Sequence, residues 1–151
     1  MKKLIIIAAL ALGFCVAASA QPRAVGIRGG YGLEASYQHT VSVDNFIEAD
    51  LGLYAFNAIN VSATYNWMLV QPQWTDRGEW GFYAGPGATV GLGLGEANYL
   101  TLAAAGMVGL EYTFWFPLQL SLDFRQHLGF SFGEKPFWAP SSIALSVRYR
   151  F

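Results

Sequence analysis

Histidines are the usual general bases, and this chain has two, His39 and His127. Asp123 stands four residues before His127, and Ser131 stands four residues after it. A carboxylate, an imidazole and a hydroxyl are the parts of a hydrolytic triad, but closeness in sequence is not triad geometry, and such a trio arises easily by chance. His39 falls on a different, apolar face and reads as a residue at a polar–apolar boundary. Two separated histidines and a single cysteine, Cys15, do not make metal-ligand spacing, so neither a metal nor another cofactor is expected. A second group of chemical residues is larger. Arg28, Glu34, Glu48, Asp50, Glu111, Asp123, Arg125, Arg148 and Arg150 are spread along the chain, and each falls on the less apolar of two alternating faces. Charges gathered in a narrow interior must pair or stay hydrated. That group predicts either an interlocked salt-bridge plug or a small gated pore whose plug rearranges.

The elements that must position these residues are strands. The chain has 151 residues, of which 13% are charged and 16% aromatic, with 17 glycines. An ordinary soluble domain has about 25% charged residues. Residues 1–20 explain part of the deficit. Lys2-Lys3, the apolar run Leu4–Ala18 and the small residues Ala18-Ser19-Ala20 read as a cleaved secretory signal peptide. Phe14 before Cys15 spoils the small-residue context for lipid attachment. Removing the signal takes away Lys2 and Lys3 and leaves seven basic against ten acidic residues, with no cysteine. No basic stripe remains to attract nucleic acid. Residues 21–151 form one domain with too little charge for a water-facing surface and no apolar run of about 18 residues for a membrane helix. A closed β-barrel is the other way to cross a membrane.

Alternation supports strands. Val61, Ala63, Tyr65, Trp67 and Leu69 oppose Asn60, Ser62, Thr64, Asn66 and Met68. Leu118, Leu120, Leu122, Phe124 and Leu128 oppose Gln119, Ser121, Asp123, Arg125 and His127. Ile47, Ala49, Leu51 and Leu53 oppose Glu48, Asp50, Gly52 and Tyr54. From Trp80 to Gly95, Phe82, Ala84, Ala88, Val90, Leu92 and Leu94 oppose a row that is mostly glycine. Such a row needs close approach or tight curvature. The next segment sets Thr101, Ala103, Ala105, Met107, Gly109 and Glu111 against Leu102, Val108, Leu110 and Tyr112. A soluble lipocalin-like barrel alternates too, with its apolar face inside. Here the less apolar face is small and crowded, whereas the other carries large residues, with Trp67, Trp80, Phe114, Trp115, Phe116 and Tyr149 near strand ends like an aromatic girdle. The apolar face is therefore expected outside, against lipid.

Breaks near Asp44-Asn45, Asn57-Ala58, Gln71–Glu79, Glu96–Asn98, Trp115–Pro117 and Ser131–Ser141 make seven segments. An even strand number of at least eight requires the first, Ala24–Val41, to fold near Gly29-Gly30. Alternation nevertheless runs unbroken through it. The expected fold is an all-β, eight-stranded antiparallel up-and-down transmembrane β-barrel. With both chain ends on the periplasmic side, Ser131–Pro140 becomes the longest outer loop. Its aromatic residues are a contact site for partners or, more simply, interfacial anchors.

The last stretch, IALSVRYRF, ends on Phe151 with Ile143, Leu145, Val147 and Tyr149 at every second position before it. This resembles the C-terminal signal that the barrel assembly machinery reads in bacterial outer-membrane proteins. With stretches such as IRGGYG, YAGPG, PLQLSLDFR and LSVRYRF, the chain resembles small outer-membrane barrels of the OmpX and OmpA-transmembrane type, in an uncharacterised subfamily. The resemblance implies outer-membrane location, surrounding lipid and assembly-machinery contact. It brings no activity and no peptidoglycan-binding domain. The expectation is a monomeric, non-catalytic barrel with a structural or surface-interaction role. The alternatives are a lipid A-modifying barrel enzyme, with a slot for an acyl chain beside the glycine row, or a small gated pore. Tyr83, Met107 and the arginines are the groups that would fill such a slot.

Overall fold

A computed structural model describes residues 22–54, 58–94, 99–133 and 139–151. They form eight strands: β1 (Pro22–Gly29), β2 (Gly32–Thr40), β3 (Asn45–Tyr54), β4 (Ala58–Val70), β5 (Glu79–Gly93), β6 (Leu100–Thr113), β7 (Leu118–Phe132) and β8 (Ser141–Arg150). Each pairs antiparallel with its sequence neighbour, and β8 pairs with β1, so the sheet closes into a barrel with no free edge. The end where β1 begins and β8 finishes is termed proximal, and the other distal.

Ladder register decides which side chains enter the lumen, because residues facing each other across a ladder share one side of the sheet. Arg28 faces Glu34, Glu34 faces Gly52, and Glu48 faces Thr64, so even-numbered residues point inward from β1 to β4. Ser62 faces Thr89, which hands the lumen to odd-numbered residues in β5, β6 and β7. Ser121 faces Ser146 and hands it back in β8. Following facing pairs from Ile27 through Ala35, Leu51, Val61, Val90, Leu102 and Phe130, and closing through β8, arrives about ten residues further along β1. That stagger tilts the strands by about 40° and leaves a bore only wide enough for side chains.

The first hairpin turns one residue later than the sequence pattern places it. Gly29 is still paired, with Leu33, so three residues, Gly30, Tyr31 and Gly32, turn the chain between them, Gly32 already facing Tyr54 as the first residue of β2. An odd-numbered turn preserves parity, which is why alternation runs unbroken through two strands. Ala58 opens β4, Glu79 opens β5, and Ser131 lies within β7 and not in a loop. Asn57, Glu96–Asn98 and much of the outer loop, including Phe137 and Trp138, lie outside the described residues.

The polarity is inverted relative to a soluble domain. Among the described residues, the buried apolar side chains larger than alanine are Phe46, Tyr83 and Met107, and the rest of the interior is alanine, glycine, and polar or charged side chains. The outer wall exposes Ile27, Leu33, Leu102, Leu122, Phe130, Ile143 and many others.

Candidate functional site

The lumen is where the chemical residues meet. Arg28, on β1, donates to Glu34 on β2 at 2.7 Å and reaches across to Asp123 on β7 at 2.5 Å. Arg125, on β7, crosses to Asp50 on β3, with Glu48 at 3.6 Å and Glu34 at 3.7 Å. Arg148, on β8, pairs with Glu48 at 2.8 Å and donates to Ser36 and Ser121 at 2.9 and 2.6 Å. Neutral side chains complete the mesh. Gln38 donates to Glu48, Asn60 to Glu34, and Gln119 to Glu111, all between 2.6 and 2.8 Å. The bonds therefore tie β1 to β7, β7 to β3, and β8 to β2 and β3. Each guanidinium meets more than one oxygen, which is the condition under which buried charge is tolerated.

Of the nine charges that alternation assigns to the inner face, eight are buried: Arg28, Glu34, Glu48, Asp50, Glu111, Asp123, Arg125 and Arg148. Arg150 stands apart. Its side chain is 37% exposed at the proximal rim, 3.9 Å from Glu79.

Arg23 belongs to the lumen although alternation puts it outside. Pro22 faces His39 and Ala24 faces Gln38, so Arg23 is the extra residue of a β-bulge. A bulge re-aims a side chain. Here it turns Arg23 inward to Glu111 and Gln38, with its guanidinium 4.1 Å above the Phe46 ring. No alternation pattern reveals this residue, because its signal is the break in alternation itself. Phe46 is buried beside Tyr83, edge to face at 5.3 Å.

Asp123, His127 and Ser131 do not assemble as a triad. They share one face of one strand, where a rise of about 3.3 Å per residue sets successive members roughly 13 Å apart. Asp123 is occupied by Arg28, and Ser131 accepts from Thr101 at 3.5 Å. His127 is buried, and its backbone N–H donates to the Pro140 carbonyl. His39 lies on the outer face, its Nδ1 3.2 Å from the Tyr37 hydroxyl. Among the described residues, no group of histidine, cysteine and carboxylate side chains has the arrangement of a metal site.

The space left by the small residues of β5 and β6 is filled rather than open. A Cβ at Gly109 would strike the Tyr83 ring, and Met107 lies 3.4 Å from Arg125. At the proximal mouth, Arg23, Phe46, Glu79, Glu111 and Arg150 are among the residues lining a shallow polar cavity of about 110 Å³.

The residues of the chain's last stretch face the other way. Ile143, Leu145, Val147, Tyr149 and Phe151 are all exposed on the outer wall, and the Tyr149 and Phe151 rings meet edge to face at 5.5 Å.

Comparison of the chain with protein-family models, with curated proteins and with solved structures finds no match in any of the three.

Proposed function

We propose that the protein is an integral outer-membrane barrel of the OmpX and OmpA-transmembrane kind, closed through its lumen, with a non-catalytic structural or surface-interaction role. The observation that carries this reading is the inverted polarity: arginines and carboxylates buried inside, leucine, isoleucine, valine and phenylalanine exposed outside. Leaving each such large side chain in water forgoes about 1.5–3 kcal/mol, so a wall covered with them favours an apolar surrounding. Aromatic groups gather toward the proximal end of that wall, including Tyr65 with Trp67, Trp74 with Trp80, and Tyr112 with Phe114, as at a membrane boundary. The partners in this reading are outer-membrane lipid and, during biogenesis, the barrel assembly machinery acting on the strand that ends at Phe151. Residues 1–20 serve as the export signal, and the barrel is monomeric. The charged mesh favours a plug over a pore, and the dispersal of Asp123, His127 and Ser131 removes the motive for a hydrolytic enzyme built on them.

The test is gel migration of the mature protein in mild detergent, unheated and boiled, together with membrane assembly of a variant lacking Phe151. A heat-dependent shift and poor assembly of the variant are expected. A protein soluble without detergent and indifferent to Phe151 would overturn the reading.

A further inference from the structure

In the loop joining β4 to β5, residues 71–78, Gln71 lines the mouth cavity, but the part from Trp74 to Gly78 turns away from it. That part is held against the outside of the wall. Trp74 packs on Trp80 at 5.4 Å and on Phe82 at 5.6 Å, both outward residues of β5. Trp80 Nε1 donates to Thr75 Oγ1 at 3.2 Å, and that hydroxyl donates to the Arg77 carbonyl at 2.7 Å. The hydroxyl of Tyr112, an outward residue of β6, donates to the same carbonyl at 2.9 Å. Gly78 closes the loop at φ 76°, where a Cβ would collide with the Tyr112 hydroxyl. These contacts place the exposed Arg77 guanidinium 5.7 Å from the centre of the Trp115 ring. Trp115 continues through Phe114 to Tyr112 and Trp80 as a chain of touching rings.

Arg77 differs from the other arginines. Arg23, Arg28, Arg125, Arg148 and Arg150 all have a carboxylate partner, whereas among the described residues Arg77 forms no ion pair. Asp76 beside it is exposed, and Glu79 is directed toward Arg150. An uncommitted, fork-shaped donor set held over a tryptophan ring, at the aromatic boundary of an apolar wall, is complementary to a phosphate diester. We propose that the outer wall of β5 and β6, with the loop 71–78, binds the headgroup phosphate of an anionic glycerophospholipid. Arg77 supplies the charge, and Trp74, Trp80 and Trp115 flank the glycerol and upper acyl region. The proposal rests on the membrane reading above and adds a lipid class and a position on the circumference. The wall of β1 to β3 offers no equivalent: its outward residues near the proximal end are Val25, Tyr37, His39 and Ile47, with no arginine or lysine.

The test uses the full mature chain in phosphatidylcholine vesicles, with Trp67→Phe and Trp138→Phe so that Trp74, Trp80 and Trp115 report. Brominated phosphatidylglycerol and brominated phosphatidylcholine are compared as quenchers at equal mole fraction. One cation at a membrane surface corresponds to roughly fivefold local enrichment of the anionic lipid, so the anionic quencher should be the stronger. R77Q should abolish that excess while quenching by brominated phosphatidylcholine persists, and R150Q, with the same change of charge, should keep it. Equal quenching by the two lipids, or an excess that R77Q retains or R150Q also loses, would overturn the proposal. Absence of quenching by either lipid would overturn the membrane reading and the proposal with it.

Discussion

The two sides of the lumen are built from opposite materials. The inner face of β1 to β3 with β7 and β8 carries Arg28, Glu34, Glu48, Asp50, Asp123, Arg125 and Arg148. The facing wall of β5 and β6 presents Gly81, Gly85, Gly87, Ala103, Ala105 and Gly109, with Glu111 as its buried charge and Glu79 at the rim. Neither set fills a barrel alone. Long side chains all round would not fit a bore of eight strands, and small ones all round would leave a void. The arginines find their partners within the charged wall, whereas the space over the glycines is taken by Met68, Tyr83 and the backbone of β4, and Met107, 3.4 Å from Arg125, joins the two sides. The comparison teaches that one bore is filled in two ways, by backbone approach on one side and by paired charge on the other, and the two differ in how they fail.

The glycine wall should fail hardest. At Gly85 a Cβ would run into the carbonyl oxygen of Tyr65 and the Cα of Asn66, both on the β4 backbone. Backbone cannot step aside as a side chain can. Gly85→Leu is expected to abolish assembly, read as loss of the heat-dependent gel shift and of the membrane-inserted form. A normally assembled Gly85→Leu barrel would break the claim that this wall is held at glycine by backbone contact.

The charged wall should fail by degrees. Glu48 accepts from Gln38, pairs with Arg148 and lies near Arg125, so removing its carboxylate leaves the buried Arg148 with hydroxyl partners alone and takes one of three carboxylates from around Arg125, which keeps Asp50. Breaking a buried ionic group in this way costs about 3–5 kcal/mol. Glu48→Ala should still assemble but unfold from phosphatidylcholine vesicles at markedly lower urea. Glu48→Gln, which keeps hydrogen-bonding capacity, should recover part of the loss. Equal losses in the two variants would assign the effect to shape and not to charge.

Much of this contrast is legible in the sequence because barrel geometry converts parity directly into inside and outside. Glu34, Asp50, Asp123 and Arg125 are recognisable as interior from nothing more than their neighbours Leu33, Leu51, Leu122 and Phe124. What parity hides is every place where the ladder slips. Arg23 is turned inward by the bulge at the start of β1, and Leu69 and Val70 both stay outward because a second slip follows Met68. Parity also fails to say who reaches whom. The partnership of Arg28 with Asp123, 95 positions away, depends on strand stagger, which no local pattern encodes. Three residues that look like a triad along the chain are pulled apart by the same geometry, since an extended strand separates neighbours four apart by more than their side chains can span.

Not every glycine in the row is held by a clash, and Gly91 separates the two explanations for such a row. A Cβ at Gly91 would lie 3.5 Å from Thr101 Cβ and 3.7 Å from the Ile59 carbonyl oxygen, which is ordinary contact. Its place near the distal end of β5, opposite Asn60 and Thr101, is wider than the region where Tyr65 crowds Gly85. If close approach alone keeps glycine in this wall, Gly91→Ala should be free of cost there. It should also restrict the unfolded chain, a gain of about 0.5–1 kcal/mol for alanine over glycine in a strand interior. The expected result is normal assembly with a urea midpoint equal to or slightly above that of the parent. A clear loss of stability at Gly91, comparable with that of Glu48→Ala, would mean that the whole row answers to curvature of the sheet and not to the contacts of individual positions.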